Sequence, residues 1–224
     1  MMATISVTRF KNAVQRDIKH FGLVDSVKDY TLRAVNELTY FHVFRGMMID
    51  QVTDKYMESA WNYECRFLTP SEMRALSRRP EYELSEKFIE AALEKGDQCY
   101  AILSDGFLAS YAWYSSEPTL INDELKVRFD RQYIYMYNTF TYYDYRGQRL
   151  NAIGITLALN EYLKRDLKGI VFCVEENNHR SLRSVSRLGA QEFGRVIALK
   201  LSGRHVLYHS PGCRKRGLMM MTVV

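Results

Sequence analysis

The sequence contains little cysteine, and its four cysteines form no recognisable site. They lie far apart along the 224 residues, without a C-x-x-C pair and without a histidine at the spacing of metal ligands. Cys99 and Cys173 lie in apolar, strand-like runs, where a reduced and buried thiol is the usual state. We therefore expect no metal site and a protein of a reducing compartment, the cytoplasm.

Long apolar runs are also missing. The first twenty residues lack the unbroken apolar stretch of a signal peptide, and no window reaches the roughly 18 apolar residues of a membrane span. The formal net charge of +5 favours an anionic small ligand or an acidic partner, but it is too small to indicate nucleic-acid binding. The sequence thus predicts a soluble chain with no membrane span and no nucleic-acid partner.

The chain divides into an extension, one principal domain and a tail. Apolar residues at helical spacing predict a helical extension over residues 1–38. The hydrophobic fraction of 47% is sufficient for a packed core, which we place in a domain over residues 39–213. Residues 214–224 are basic and rich in methionine, and we expect them to form a loose tail.

Within the domain, the order of elements predicts an α/β (α+β) fold. A first strand and two helices precede a hairpin that turns at Asp105-Gly106. A strand over Tyr133–Thr141 and an apolar strand over residues 169–176 are joined through a helix, which requires a parallel step in the sheet. A last hairpin is predicted to turn at Ser202-Gly203.

A positively charged loop connects the Tyr133–Thr141 strand to the helix that follows. It reads Tyr145-Arg146-Gly147-Gln148-Arg149-Leu150-Asn151. The first backbone N–H groups of a helix are unpaired and carry partial positive charge, so such a helix start suits a pyrophosphate, and the two arginines add formal charge. Taken alone, the segment is equally compatible with an ordinary turn that carries solvated arginines.

A second motif opens the next helix. Asn178-x-x-Ser181 follows the apolar strand, and Arg187-Leu188-Gly189 ends the helix. Taken alone, this pattern is that of a capped helix with a glycine stop.

Together, in this order and spacing, the two motifs resemble those of the GNAT superfamily of N-acyltransferases. The resemblance covers about residues 98–210. It implies a mixed, mostly antiparallel central sheet that contains a splayed parallel strand pair and is flanked by helices, to which this chain adds the N-terminal helical extension.

The resemblance also implies an acyl-CoA site. In the family, an R/Q-x-x-G-x-G/A loop holds the CoA pyrophosphate, an N-x-x-A/S segment flanks the thioester, and backbone groups of the first parallel strand bind the pantetheine arm. The cofactor-binding residues implied here are Phe140, Thr141, Arg146, Gly147, Gln148, Arg149, Leu150, Asn151, Asn178 and Ser181.

The sequence departs from the family pattern at the loop and at the acid. Arg149 and Asn151 occupy positions where the family has glycine or alanine, which allow close backbone approach. Val185 stands where the family has a tyrosine that acts as general acid, and valine cannot donate a proton. Side chains that could replace it are Ser184, Ser186, Tyr142, Tyr143 and Tyr145.

A general base is also required, because only a neutral amine is nucleophilic. The candidates are Glu175 and Glu176 at the strand end and His179 at the helix start, and at most one of the adjacent glutamates points into the splay. All three are also compatible with solvated or helix-capping roles. The catalytic set predicted from the sequence is Glu175, His179 and Ser184.

The function implied is transfer of an acetyl or longer acyl group from acyl-CoA to a primary amine of a small molecule or protein. One alternative donor is an acyl carrier protein, as in GNAT-like N-acyl amino acid synthases, which an arginine-rich rim would favour. Another alternative is a catalytically inactive acyl-CoA-binding module, which the missing tyrosine favours. Exposed edge strands would further allow a homodimer.

Overall fold

The computed structural model describes residues 41–60, 62–201 and 204–223. The predicted extension over residues 1–38 and the predicted turn at Ser202-Gly203 therefore lie outside the described residues. The strands are β1 Phe41–Ile49, β2 Glu64–Phe67, β3 Gln98–Ser104, β4 Phe107–Ser115, β5 Thr119–Leu120, β6 Leu125–Arg128, β7 Ile134–Thr141, β8 Ile170–Glu175, β9 Gln191–Leu201, β10 Arg204–His209 and β11 Met219–Thr222. The helices are α1 Asp54–Glu58, α2 Pro70–Ser77, α3 Glu86–Glu94, α4 Leu150–Leu163, α5 His179–Arg187 and α6 Pro211–Lys215.

Local sequence signals set several of these boundaries. Thr69 caps α2 in a capping box with Glu72, and the Ser85 hydroxyl accepts a hydrogen bond from the Phe88 backbone N–H at the start of α3. The β3–β4 hairpin turns at Asp105 and Gly106, both of which have positive φ, as a two-residue turn requires.

The main sheet has eight strands in the order β10-β9-β1-β8-β7-β4-β3-β2. Over the described ranges its neighbours are antiparallel except for β7 and β8, which are parallel and joined through α4. The predicted mixed, mostly antiparallel sheet with a parallel pair is therefore confirmed.

The strand β1 lies inside this sheet, although it precedes all the others in the chain. It pairs with β8 from Phe44 opposite Glu175 to Ile49 opposite Ile170. On its other side it pairs with β9, beginning with Phe41 opposite Leu199. The side of β8 that faces away from β7 is thus closed by β1.

Helices cover both faces of the sheet. On one face, α4 and α5 pack on the centre of the sheet, where Val185 joins a core that contains Phe172 and Val174. On the other face, α2 and α3 pack over β3 and β4, and a small sheet in the order β11-β6-β5 packs with α6 over β1, β8 and β9. Trp113 and Tyr114 are fully buried on opposite faces of β4, Trp113 in the core beneath α2 and α3 and Tyr114 in the core beneath α4.

The C-terminal segment differs from the expected loose tail. Within residues 214–223, Leu218 and Met220 are buried and β11 pairs with β6, so the segment is part of the folded domain. Its anchor is α6, which lies so close to β9 that a Cβ atom on Gly212 would be 1.6 Å from the carbonyl oxygen of Phe193. Of the methionines that suggested a tail, Met220 belongs to the buried core between the small sheet and the main sheet.

Candidate functional site

The parallel strands β7 and β8 separate after two paired positions. Ile134 lies opposite Ile170 and Tyr135 opposite Val171. Beyond these positions, β7 continues beside β4 as far as Thr141, and β8 continues beside β1 as far as Glu175. The pair therefore opens toward its C-terminal ends, and residues 138–140 of β7 are exposed although the strand lies in the middle of the sheet.

A bulge in β7 lies where this opening begins. Tyr111 and Trp113 of β4 pair with Phe140 and Tyr137, so β7 has one more residue than β4 over this interval. Asn138 in the bulge has φ 45°, which asparagine tolerates better than most residues. A bulge bends the strand that carries it, and this bend accompanies the departure of β7 from β8.

The opening forms a cleft of about 650 Å³. Nine of the sequence-predicted site residues line it together: Phe140, Thr141, Arg146, Gly147, Asn151, Glu175, Asn178, Ser181 and Ser184. The apolar inner wall is formed by Met136, Phe172, Val174 and Val185. Arg180 and Cys173, neither of which was predicted as a site residue, also line the cleft.

Four predicted site residues do not line the cleft. Gln148 is exposed, and its side-chain oxygen accepts a hydrogen bond from the Tyr63 hydroxyl at 2.5 Å. Arg149 is exposed, and the side chain of Leu150 is buried in the core. His179 lies in a neighbouring pocket of about 570 Å³ with Arg45 and Glu176.

The N-terminus of α4 opens at this loop. Arg149 is the N-cap residue, and its side chain makes no capping hydrogen bond. The first N–H groups of a helix have no partner within the helix and carry partial positive charge. Arg149 has φ 62° and Gly147 has φ 86°, so the loop uses left-handed conformations at these two positions. Residues other than glycine adopt such a conformation at a cost of roughly 1–2 kcal/mol. Arg149 therefore incurs a cost that a glycine at the same position would avoid.

Arg146 supplies positive charge where the loop meets β7. Its Nε donates a hydrogen bond to the Thr141 carbonyl oxygen at 3.2 Å. Its guanidinium carbon lies 5.8 Å from the centre of the Phe140 ring and 5.5 Å from that of Tyr143. A guanidinium held by a carbonyl and two rings retains further N–H donors for an anionic ligand.

The carboxylates at the end of β8 point to opposite sides, as strand geometry predicts. Glu175 lines the cleft, and its Oε1 contacts Nδ1 of His42 on β1. Glu176 is buried and pairs with Arg45 through two hydrogen bonds of 2.7 Å. His42 was not predicted as a site residue, because no local pattern connects two residues that are 133 positions apart.

The side chains that could donate a proton to the leaving group lie in different places. Ser184 lines the cleft, whereas Ser186 lines the neighbouring pocket and Val185 is buried. The Tyr142 hydroxyl donates to the Tyr82 carbonyl oxygen at 2.8 Å, and burial raises the pKa of this phenol, which therefore stays protonated. Tyr143 is 80% exposed. Ser184 is thus the predicted donor that lies in the cleft itself.

Neither a metal cluster nor a membrane-spanning helix is found in the part of the chain that the structure describes. There, no three side chains of the types His, Cys, Asp or Glu are grouped so that they would hold a metal ion. Over the same ranges, no helix is long and apolar enough to cross a bilayer.

No family model matches the sequence, and no curated protein does either. Solved structures similar to this chain include a protein from Novosphingobium aromaticivorans described as an acetyltransferase of the GNAT family, with a TM-score of 0.49, 17% identity, and coverage of 71% of this chain and 63% of that one. A GCN5-related N-acetyltransferase-like protein from Streptococcus suis has a TM-score of 0.47, 13% identity, and coverage of 80% and 67% respectively. The chain thus matches less than two thirds of the length of the Novosphingobium protein.

The fold has the features that the resemblance of the two sequence motifs implies. It has a mostly antiparallel sheet, a parallel strand pair that opens at its C-terminal ends, and a helix between these strands whose N-terminal loop lines the opening.

Proposed function

We propose that this protein is an N-acyltransferase that transfers an acetyl or longer acyl group from acyl-CoA to a primary amine. The observation that carries the proposal is the cleft between β7 and β8, which runs from the paired ends of the strands to the loop that opens α4. A thioester carried on a long, flexible arm with a charged end matches such a cleft in shape and charge.

The charged end of CoA would bind at the loop. Arg146 and Arg180 provide guanidinium groups on two sides of the cleft, and the start of α4 provides backbone N–H donors. Gln148, Arg149 and Leu150 would contribute through backbone atoms, because their side chains do not line the cleft. Asn151 would contact the same group from the first turn of α4.

The pantetheine arm would lie along the open edge of β7. Backbone groups of Phe140 and Thr141 lie on a strand that has no β8 partner at this level. An extended ligand that pairs with such an edge behaves as an added strand. Asn178 and Ser181 would flank the thioester, although the Asn178 side chain also caps α5 by accepting from the Ser181 N–H at 3.1 Å.

In the reaction, the amine nitrogen forms a bond with the thioester carbon while the carbon–sulfur bond breaks. We assign Glu175 as the base that accepts the amine proton, since it is the carboxylate that lines the cleft. The CoA thiolate leaves and takes a proton from Ser184 or from water. Departure without a strong acid is feasible because a thiol has a pKa of about 8.5. The assignment omits His179, which lies in the neighbouring pocket.

Isothermal titration calorimetry with acetyl-CoA and a series of longer acyl-CoAs tests the proposal. At least one member should bind in a one-to-one complex, and free CoA should compete with it. If no acyl-CoA of any chain length binds, the proposal is wrong.

An acyl carrier protein is the second candidate donor. Arg180 lines the cleft, and Arg183 and Arg187 lie on the same helix, so the rim beside the cleft is basic. An acidic carrier protein would be attracted to such a rim. Capture of an acyl-loaded carrier at low salt, together with no binding of acyl-CoA, would favour this donor. An inactive binding module, which the valine at position 185 favours, would instead bind acyl-CoA and release no free thiol with any amine.

A further inference from the structure

The strand β1 holds both carboxylates at the end of β8. Beyond Val171, β8 has separated from β7, and β1 is its remaining partner strand in the described part of the sheet. The Glu176 backbone N–H donates to the Val43 carbonyl oxygen at 2.8 Å, so the contact extends past the last residue of β8. β1 therefore fixes the end of β8, which forms one wall of the cleft, on the side that faces away from β7.

Each carboxylate has its own partner on β1. On one face of the sheet, Arg45 binds Glu176 with two hydrogen bonds of 2.7 Å. On the other face, His42 contacts Glu175, and the His42 ring stacks on Phe44 with 5.9 Å between ring centres. In the Arg45–Glu176 pair the carboxylate is buried, whereas the His42–Glu175 pair lies at the cleft.

The chemistry of the His42–Glu175 pair determines the position of the proton. An ionised carboxylate only accepts hydrogen bonds, so Nδ1 of His42 carries a hydrogen and donates it to Oε1 of Glu175. The terminal torsion of a glutamate is broad and roughly two-fold. A fixed donor at Oε1 selects one orientation of the carboxylate and leaves Oε2 as the oxygen that can accept a proton.

We propose that His42 is a positioning residue that orients the Glu175 carboxylate toward the amine in the cleft. The proposal rests on the proposed function, and it concerns a residue that touches neither acyl-CoA nor the reacting atoms. The other charged side chains that line the cleft are Arg146 and Arg180, and neither forms a hydrogen bond with Glu175 in the described residues. The orientation of the base thus depends on a strand that enters the sheet between β8 and β9.

Two substitutions at one position separate positioning from packing. In His42→Ala the donor is lost, and we expect kcat to fall by about 10–100-fold while KM for acyl-CoA stays the same, as for a misplaced catalytic group. In His42→Asn the amide nitrogen occupies the place of Nδ1 and donates to Oε1, so most of the lost kcat should return. Equal kcat values for His42→Ala and the unchanged protein would overturn the proposal.

His205 provides the matched control. Its Nε2 lies 2.9 Å from Oε2 of Glu124 in a second histidine–glutamate pair, which does not line the cleft. His205→Ala should therefore leave kcat and KM unchanged. If His205→Ala lowered kcat as much as His42→Ala does, the effect would be general to such pairs, and the positioning role would be excluded.

An NMR measurement tests the pair without any turnover. The resonance of the Nδ1-bound hydrogen of His42 should lie downfield in the unchanged protein and should move upfield in Glu175→Gln, because an uncharged amide is a weaker hydrogen-bond acceptor than a carboxylate. An unchanged Nδ1–H resonance would overturn the positioning role even if the enzyme is active. Failure of every acyl-CoA to bind would overturn the proposed function and this role together, so the two failures are distinguishable.

Discussion

Tyr135 of β7 lies opposite Val171 of β8, and this is the last paired position before the two parallel strands separate. Both residues are buried, and they pack in the same core cluster. The closed part of the strand pair is therefore anchored by apolar packing, while the open part presents backbone and polar side chains to the cleft.

Arg146→Ala should weaken acyl-CoA binding by about tenfold or more, because one charge-assisted contact to a phosphate is worth roughly 1.5–3 kcal/mol. Calorimetry at two salt concentrations measures this, and the salt dependence should decrease in the variant. Arg131→Ala is the control, since that side chain is 85% exposed and does not line the cleft. Equal affinities in both variants would exclude Arg146 from the phosphate site.

Glu175→Gln should lower kcat by about 10²–10⁴-fold, the range typical of a lost general base. The amide has nearly the same shape but cannot accept the proton, so KM for acyl-CoA should change little. Steady-state kinetics with free-thiol detection supplies both constants. A fall of less than about threefold would point to another base.

Glu176→Gln should act on stability instead of chemistry. Glu176 is buried and binds Arg45 through two hydrogen bonds, so its loss should cost about 2 kcal/mol in the free energy of unfolding. Urea denaturation gives this value. Glu192→Gln removes the more exposed partner of Arg45 and should cost less than about 1 kcal/mol. The reverse order would mean that the buried pair does not stabilise the end of β8.

Gly212→Ala should destabilise the fold by about 3 kcal/mol or more, since its Cβ would lie 1.6 Å from the Phe193 carbonyl oxygen and the backbone would have to move. Gly154→Ala is the comparison, because its Cβ would lie 3.3 Å from Cδ1 of Ile102, a movable side-chain end. Thermal unfolding should show a large decrease in the free energy of unfolding for Gly212→Ala. For Gly154→Ala the same free energy should change by no more than about 1 kcal/mol.

Cys173 should react slowly with iodoacetamide at pH 8. Burial raises the pKa of this thiol to about 12, so the reactive thiolate is scarce and should increase tenfold with each pH unit up to that value. A raised pKa favours the neutral thiol in the folded state. Its contribution to stability is therefore complete below about pH 8.5, the unfolded value, and is lost as the pH rises toward 12.

Mass spectrometry can follow this alkylation with and without acyl-CoA. Cys173 lines the cleft, so a bound acyl-CoA should slow its modification further. Cys65, whose pKa burial raises to about 11, lies outside the cleft and should be unaffected by the ligand. Protection of both thiols alike would indicate a general change in stability instead of occupancy of the cleft.

The sequence predicts those parts of the fold and site that depend on nearby residues. The capping residues Thr69, Ser85 and Asn178 act within one helical turn, and each caps the helix that begins directly after it. The parallel step follows from a strand, a helix and a strand in succession. The loop residues Arg146 and Gly147 line the cleft because they follow directly from β7.

Other features depend on contacts between distant residues, which no local pattern encodes. The position of β1 between β8 and β9 brings His42 to Glu175, and the periodicity of β1 alone gives no indication of its neighbours. His179 points into the neighbouring pocket because the phase of α5 is set by the packing of Val185 and Leu188. Short apolar segments such as Met219–Thr222 are ambiguous until their partner strand is known.

The position of β1 also has a consequence for the synthesis of the chain. Phe41–Ile49 leaves the ribosome well before both strands that flank it in the finished sheet, because a long stretch of chain separates it from them. Until then its two edges have no partners, and it exposes apolar surface to chaperones and to other nascent chains. Such distant pairing slows folding, because a long loop must close before the contacts form. β1 is therefore enclosed on both sides only after Gln191–Leu201 has been released from the exit tunnel.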